Sequence, residues 1–295
     1  MKDIRTDRTI RLHPECITCM LNKQIRGIPE HTPESTRLAF IQQVLRVLSE
    51  ADPAEGAPGI LPVFDRLQEE FFGKCTDYSD IKRHFNTLML SFAEETEQVI
   101  RSSADPLHAA AAYAMTGNFI DFGALESVSE EKLGSLLADA AIIDFPKNVW
   151  IRFKEELQSA GTLLYITDNC GEIVMDKLFI REMRRANPAL SVTVLVKGAP
   201  ALNDATREDA GQVRMEEDAA VADTGCGFCG VPLSRIPEET RRLLDSADLI
   251  LAKGQSNYET MHGCGRDVYY LFMCKCEFFA ERFGVKRFGG VFIRE

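Results

Sequence analysis

Apolar positions recur at three- and four-residue spacing through the first half of the chain, then give way after residue 160 to short unbroken apolar runs. The first pattern predicts amphipathic helices. One spans 14–26, opening on His13-Pro14-Glu15-Cys16, with proline and an acid in its first turn, and stopping at Gly27. A second spans 33–50 on Leu38, Ile41, Val44, Leu45 and Leu48. Residues 52–62 hold three prolines and two glycines and predict a loop. Further helices are expected at 63–72, at 79–103 on Phe85, Leu88, Phe92 and Val99, at 105–115, and at 129–138, with a polar, glycine-containing break at 116–123. The second pattern predicts strands at 162–166, 192–196, 249–252 and 290–293, and a helix at 268–282 carrying Leu271, Phe272, Phe278 and Phe279. Strands alternating with helices imply an α/β fold, a parallel sheet flanked by helices on both faces. The expected division is an all-helical region over 1–158 and an α/β domain over 159–295.

Composition narrows the function more than the fold. With 295 residues, 45% hydrophobic and 27% charged, the chain can bury a sizeable core in two domains. A net charge of −11 disfavours a phosphate-backbone partner, so no nucleic-acid partner is expected. A small anion is still admissible, because one lysine and one cation reverse the local field. The first twelve residues are too charged for a signal peptide, and no apolar run reaches membrane-spanning length. A cytoplasmic protein without a membrane partner is expected, its oligomeric state left open. Nine cysteines, an odd number in a chain of this size, argue against a disulfide scaffold. Cys16/Cys19 and Cys226/Cys229 are two C-x-x-C pairs, candidates for a second metal site of zinc or iron, for redox pairing, or for reduced small residues.

Each of three apolar runs ends in polar residues suited to chemistry. The first ends in Asp168-Asn169, the second in Lys197-Gly198 and then Asn203-Asp204, the third in Lys253-Gly254 and then Asn257. In a parallel sheet these ends share one rim, where ligands bind. Carboxylate and amide oxygens are hard ligands for a divalent cation, and a lysine beside them would take an anion. Together they suit a phosphate ester held by metal and ammonium. Helix capping is the structural alternative for Asp168, Asn169 and Asp204, and a dipole contact the alternative for Glu172. Residues 225–230 fit G-x-G-x-x-G by letter, but no apolar strand precedes them and Pro232 follows, so a dinucleotide site is not expected. No P-loop or G-x-S-x-G sequence is present.

D-N-C-G-E-I-V-M-D from Asp168, K-G-A-P-A-L-N-D-A-T-R-E-D-A from Lys197 and A-D-L-I-L-A-K-G-Q-S-N-Y-E from Ala247 resemble the three signature stretches of the metal-dependent damage-control phosphatases, formerly a domain of unknown function. C-I-T-C-M-L-N-K-Q and G-N-F-I-D-F-G resemble the prokaryotic branch of that family, and Cys170 stands where members commonly have alanine. The resemblance implies a helical N-terminal region and a Rossmann-like domain. It also implies a divalent metal (Mn, Mg, Co or Ni) on Asp168, Asn169 and Asp204, and a phosphate contact at Lys253. The implied substrate is a small phosphorylated metabolite, such as a sugar phosphate or phosphopantetheine-like monoester. On this reading Lys197, Asn203 and Asn257 join Lys253 around the phosphate. Either Asp168 or a metal-bound water attacks, and Glu172 is the candidate base for the water route. A non-catalytic binder of phosphorylated metabolites is the alternative, with a carboxyl methyltransferase as a minority reading.

Overall fold

The computed structural model describes residues 10, 12–73, 77–119 and 143–295. The expected helix at 129–138, residues 120–123 of the G-N-F-I-D-F-G stretch and Cys75 lie outside them. The chain divides into two compact units, Met1–Asp77 and Tyr78–Glu295. The division falls well before the boundary expected at residue 158, because helices beyond Asp77 pack in the same unit as the sheet.

The first unit holds α1 (Pro14–Arg26), α2 (Glu34–Glu50) and α3 (Gly56–Phe72). Its core is Met20, Ile28, Phe40, Val44, Leu48, Ile60, Phe64 and Leu67. The loop expected at 52–62 is instead a 3₁₀ turn, Pro53–Glu55, running into α3. Pro58 sits in the first turn of that helix, where an N–H would have no intrahelical partner. Pro62 lies inside the helix.

The second unit is an α/β layer structure. Helices α4 (Ser79–Ser102), α5 (Pro106–Gly117) and α6 (Lys147–Ser159) precede β1 (Thr162–Ile166). Then come α7 (Glu172–Ala186), β2 (Ser191–Val196), α8 (Arg207–Gln212), β3 (Ala220–Asp223), α9 (Glu238–Ser246) and β4 (Leu249–Lys253). The order closes with α10 (Gln255–Met261), β5 (Tyr269–Met273), α11 (Glu277–Phe283) and β6 (Gly290–Arg294). The sheet order is β3-β2-β1-β4-β5-β6. The first five strands are parallel and β6 is antiparallel to β5. This is the expected α/β class with a mostly parallel sheet flanked by helices. The order reverses between β1 and β4, so the crevice at their carboxyl ends is the topological switch point.

The helix expected at 268–282 is a strand followed by a shorter helix. Tyr269–Met273 is buried along its whole length, and an apolar run this short has no period that separates helix from strand. The alanine-rich α5 is buried from Ala109 to Gly117 and packs on α7. Its small side chains let backbones approach closely: a Cβ on Gly117 would stand 3.4 Å from Glu172 Cα. Among the described residues no helix is long and apolar enough to cross a membrane.

Candidate active site

The turn after β1 and the loop after β2 are fastened together by main chain. Asn169 and Asp204 form an isolated antiparallel bridge, and Lys197 and Thr206 a parallel one. Ala205 N donates to Asp168 O at 2.7 Å and Cys170 N to Asn203 O at 2.8 Å. Leu202 takes a left-handed backbone, φ 49°, to turn the second loop back. Asp168, Asn169 and Asp204 are thereby brought together. The Asn203 amide joins them, its Nδ2 donating to Asn169 Oδ1 at 2.9 Å.

The end of β4 closes the other side. Gly254 has φ +83°, and a Cβ there would lie 2.0 Å from Asp168 Cγ. The Asp168 carboxylate therefore occupies space that only glycine leaves open. Ser256 Oγ donates to Asp168 Oδ1 at 3.3 Å. Asn257 Nδ2 donates to Thr167 O at 3.0 Å, so this amide braces the β1 turn. Lys197 Nζ donates to Gly230 O at 2.9 Å and Asn257 Oδ1 at 3.2 Å, and lies 3.6 Å from Asp204 Oδ2.

Beneath this rim lies an enclosed charged group. Lys253 Nζ, the expected phosphate contact, meets three protein acceptors: Ala114 O at 2.8 Å, Glu172 Oε1 at 2.5 Å and Asp176 Oδ1 at 2.8 Å. Tyr165 Oη donates to the same Asp176 oxygen at 2.6 Å. Glu172, Asp176 and Lys253 are 0% exposed, whereas Asp168, Asn169 and Asp204 retain 3, 2 and 4%, which separates an inner layer from an outer one. Burial alone would push the Lys253 ammonium down, but Asp176 and Glu172 more than reverse that and hold it above its ordinary value. Burial pushes the Asp176 carboxyl up to about 7, Lys253 opposing and Glu172 reinforcing the shift.

Four of the contributing residues carried no assigned role in the sequence. Lys275, two residues past β5, places Nζ 3.7 Å from Asp168 Oδ2, and its backbone N–H is held by Gln255 Oε1. Asn118, the C-cap of α5, donates from Nδ2 to Asp168 Oδ2 at 2.9 Å and Glu172 Oε2 at 2.8 Å. Its only sequence signal was its place in the G-N-F-I-D-F-G stretch. Lys82 and Asn86, one turn apart on α4, clamp both site loops. Lys82 Nζ donates to Asp204 O at 2.8 Å and pairs with Asp209 at 2.7 Å, while Asn86 Oδ1 accepts from Gly171 N at 2.6 Å.

Among the described residues no three His, Cys, Asp or Glu side chains are grouped so as to hold a metal ion. The outer set differs in composition: two carboxylates and an amide oxygen, a hard donor set of the kind Mg²⁺ and Mn²⁺ take, with one carboxylate seated in the space Gly254 leaves. The residues present fit such an ion. Cys229 Sγ lies 3.9 Å from Asp204 Oδ1, and Cys226 Sγ 3.7 Å from Thr224 Oγ1. Cys16 and Cys19 lie on α1 in the first unit, Cys19 exposed. The Gly225–Gly230 stretch follows the short strand β3, but no helix opens from it before Glu238, as a dinucleotide loop would need.

Over residues 12–290 the chain matches the sequence model of the damage-control phosphatase ARMT1-like domain. It is 30% identical over 281 residues to a damage-control phosphatase of Archaeoglobus fulgidus, covering 94% of this chain and 96% of that one. It is 28% identical over 284 residues to a damage-control phosphatase of Pyrococcus horikoshii, covering 94% and 96%. An uncharacterized protein of Methanocaldococcus jannaschii is 28% identical over 291 residues, covering 94% and 93%. A crystal structure of a DUF89 family protein from Pyrococcus horikoshii superimposes with a TM-score of 0.77 at 25% identity, over 96% of this chain and 99% of that one.

Proposed function

The chain belongs to the damage-control phosphatase ARMT1-like family, and on that footing we propose that it hydrolyses small phosphate monoesters with a divalent cation held by Asp168, Asn169 and Asp204. The similarity to named damage-control phosphatases supports a phosphatase. The observation that carries the finer reading is the meeting of these three oxygen donors at the switch point, with a lysine beside them. When bound, the cation would supply Lewis-acid charge to the phosphoryl oxygens.

The chain's own residues do the remainder. Lys275, at the edge of Asp168, is the ammonium we assign to the ester's anionic head; Lys253 keeps to the enclosed layer. Positioned positive charge is most of what phosphoryl transfer requires of a protein. Lys197 neutralises Asp204 on its inner side, and Asn203 and Asn257 hold the two loops in register. The substrate class proposed is a sugar phosphate or phosphopantetheine-like monoester, and the compartment proposed is the cytoplasm.

The test is a panel of phosphate monoesters incubated with Mn²⁺, Co²⁺, Ni²⁺ or Mg²⁺, with an EDTA blank, reading released phosphate. Release that depends on added metal and stops with EDTA is expected. Release undiminished by EDTA would remove the cation from the reading; no release from any ester with any metal would remove hydrolysis.

A further inference from the structure

Glu172 is enclosed, and both its oxygens are engaged. Oε1 faces the Lys253 ammonium at 2.5 Å. Oε2 receives the side-chain amides of Asn118 at 2.8 Å and Asn169 at 3.1 Å, and the backbone N–H of Asn169 at 3.2 Å. An amide side chain has a donor end and an acceptor end, and an ionised carboxylate only accepts. Asn169 Nδ2 lies between Asp168 Oδ2 at 2.7 Å and Glu172 Oε2 at 3.1 Å. Turned over, the amide would set its oxygen against two carboxylate oxygens. Its Oδ1 is thus directed to the opposite side, where it meets Asn203 Nδ2 beside the bridge to Asp204. Asn118 is polarised in the same sense. Its Nδ2 spans Asp168 Oδ2 and Glu172 Oε2, and its Oδ1 accepts from Met273 N at 3.1 Å.

We propose that Glu172 and Asn118 are positioning residues for the cation site. Together they fix which end of the Asn169 amide is presented to the cation, and Asn118 also holds Asp168 Oδ2. Glu172 transfers no proton in the reaction. This rests on the cation reading above and deepens it, by moving Glu172 from acid–base chemistry to the orientation of ligands. Such supporting contacts are worth about 10- to 100-fold in metal affinity elsewhere.

The test titrates chelator-treated protein with Mn²⁺ and reads the electron paramagnetic resonance signal of the free ion. Glu172→Gln keeps the shape but allows the Asn169 amide to turn over. Asn118→Ala leaves the Lys253 pair intact and guards against a variant that fails to fold. Both should bind Mn²⁺ at least about tenfold more weakly. At saturating Mn²⁺, the pH profile of kcat in Glu172→Gln should keep both wild-type limbs, whereas loss of a proton-transfer group would remove one. Mn²⁺ affinity within about twofold of wild type in both variants, or a lost limb of that profile in Glu172→Gln, overturns the proposal while leaving the cation reading intact. Wild-type protein that binds no Mn²⁺ removes the cation reading, and this inference with it.

Discussion

Two lysines stand at the ends of neighbouring strands, and their surroundings are opposite. Lys253 finishes β4 and is enclosed among Ala114 O, Glu172 and Asp176, an ammonium facing two carboxylates. Lys275 follows β5, with 10% of its side chain exposed and Nζ 3.7 Å from Asp168. In sequence Lys253 reads as a lysine leaving a strand, whereas Lys275 falls inside the helix expected at 268–282. The difference teaches that a strand-end lysine takes its role from what covers it. Under α5 and α7, Lys253 is the counter-ion that makes a buried acidic pair tolerable. At the rim, Lys275 faces the carboxylate that the proposed ester would approach.

The sharpest way to break this contrast is Lys253→Met. It leaves Glu172 and Asp176 buried without their cation, and a loss of about 3–5 kcal/mol is expected in urea unfolding. A variant as stable as wild type would show that the enclosed ammonium is dispensable. The complementary change, Lys275→Met, should cost less stability than Lys253→Met, because Lys275 stands 3.7 Å from a single carboxylate and keeps 10% of its side chain exposed. It should lower kcat/KM for a phosphate monoester about 100-fold, or about 2.7 kcal/mol. Equal activity with and without Lys275 would return the phosphate contact to another group.

A pH titration sharpens the inner layer alone. The Asp176 carboxyl is raised from 3.8 to about 7 in the folded protein, chiefly by burial. The folded state therefore holds this proton more tightly than the unfolded chain. Its contribution to stability is full below about pH 4 and is lost as pH rises through about 7. Asp176→Asn imitates the protonated form, so stability plotted against pH should fall less steeply over that window. Unfolding of both proteins across it by circular dichroism checks this, and parallel slopes would locate the titration elsewhere.

The outer layer was largely visible in the sequence because it is local. Strands β1, β2, β4 and β6 announced themselves as short apolar runs, and Asp168, Asn169, Asn203 and Asp204 follow two of them within a few residues. Glu172 and Lys253 of the inner layer were singled out, but the side chains that support the two layers were not visible, because they are long-range. Asn118 arrives on α5, and Lys82 and Asn86 on α4, from about fifty to well over one hundred positions away in the chain. Nothing in the amphipathic pattern of α4 distinguishes Lys82 from a solvated lysine. Lys275 was obscured by a different cause: once β5 is read as helix, the residue after it loses its place on the rim. The short edge strand β3 was hidden by its partial exposure, which left no apolar run.

The hydrogen bonds joining Ala205 to Asp168 and Cys170 to Asn203 also bear on ion size. With its two jaws riveted by main chain, the site has little freedom to widen by moving loops apart. In the proposed cation site, an ion of another radius would be met by rotating side-chain torsions, with the Asp168 carboxylate seated in the space that Gly254 leaves. Selectivity among divalent ions would then follow from a gauge set at the level of the backbone, and adapting the site to a larger ion would require rebuilding the loops rather than exchanging a ligand.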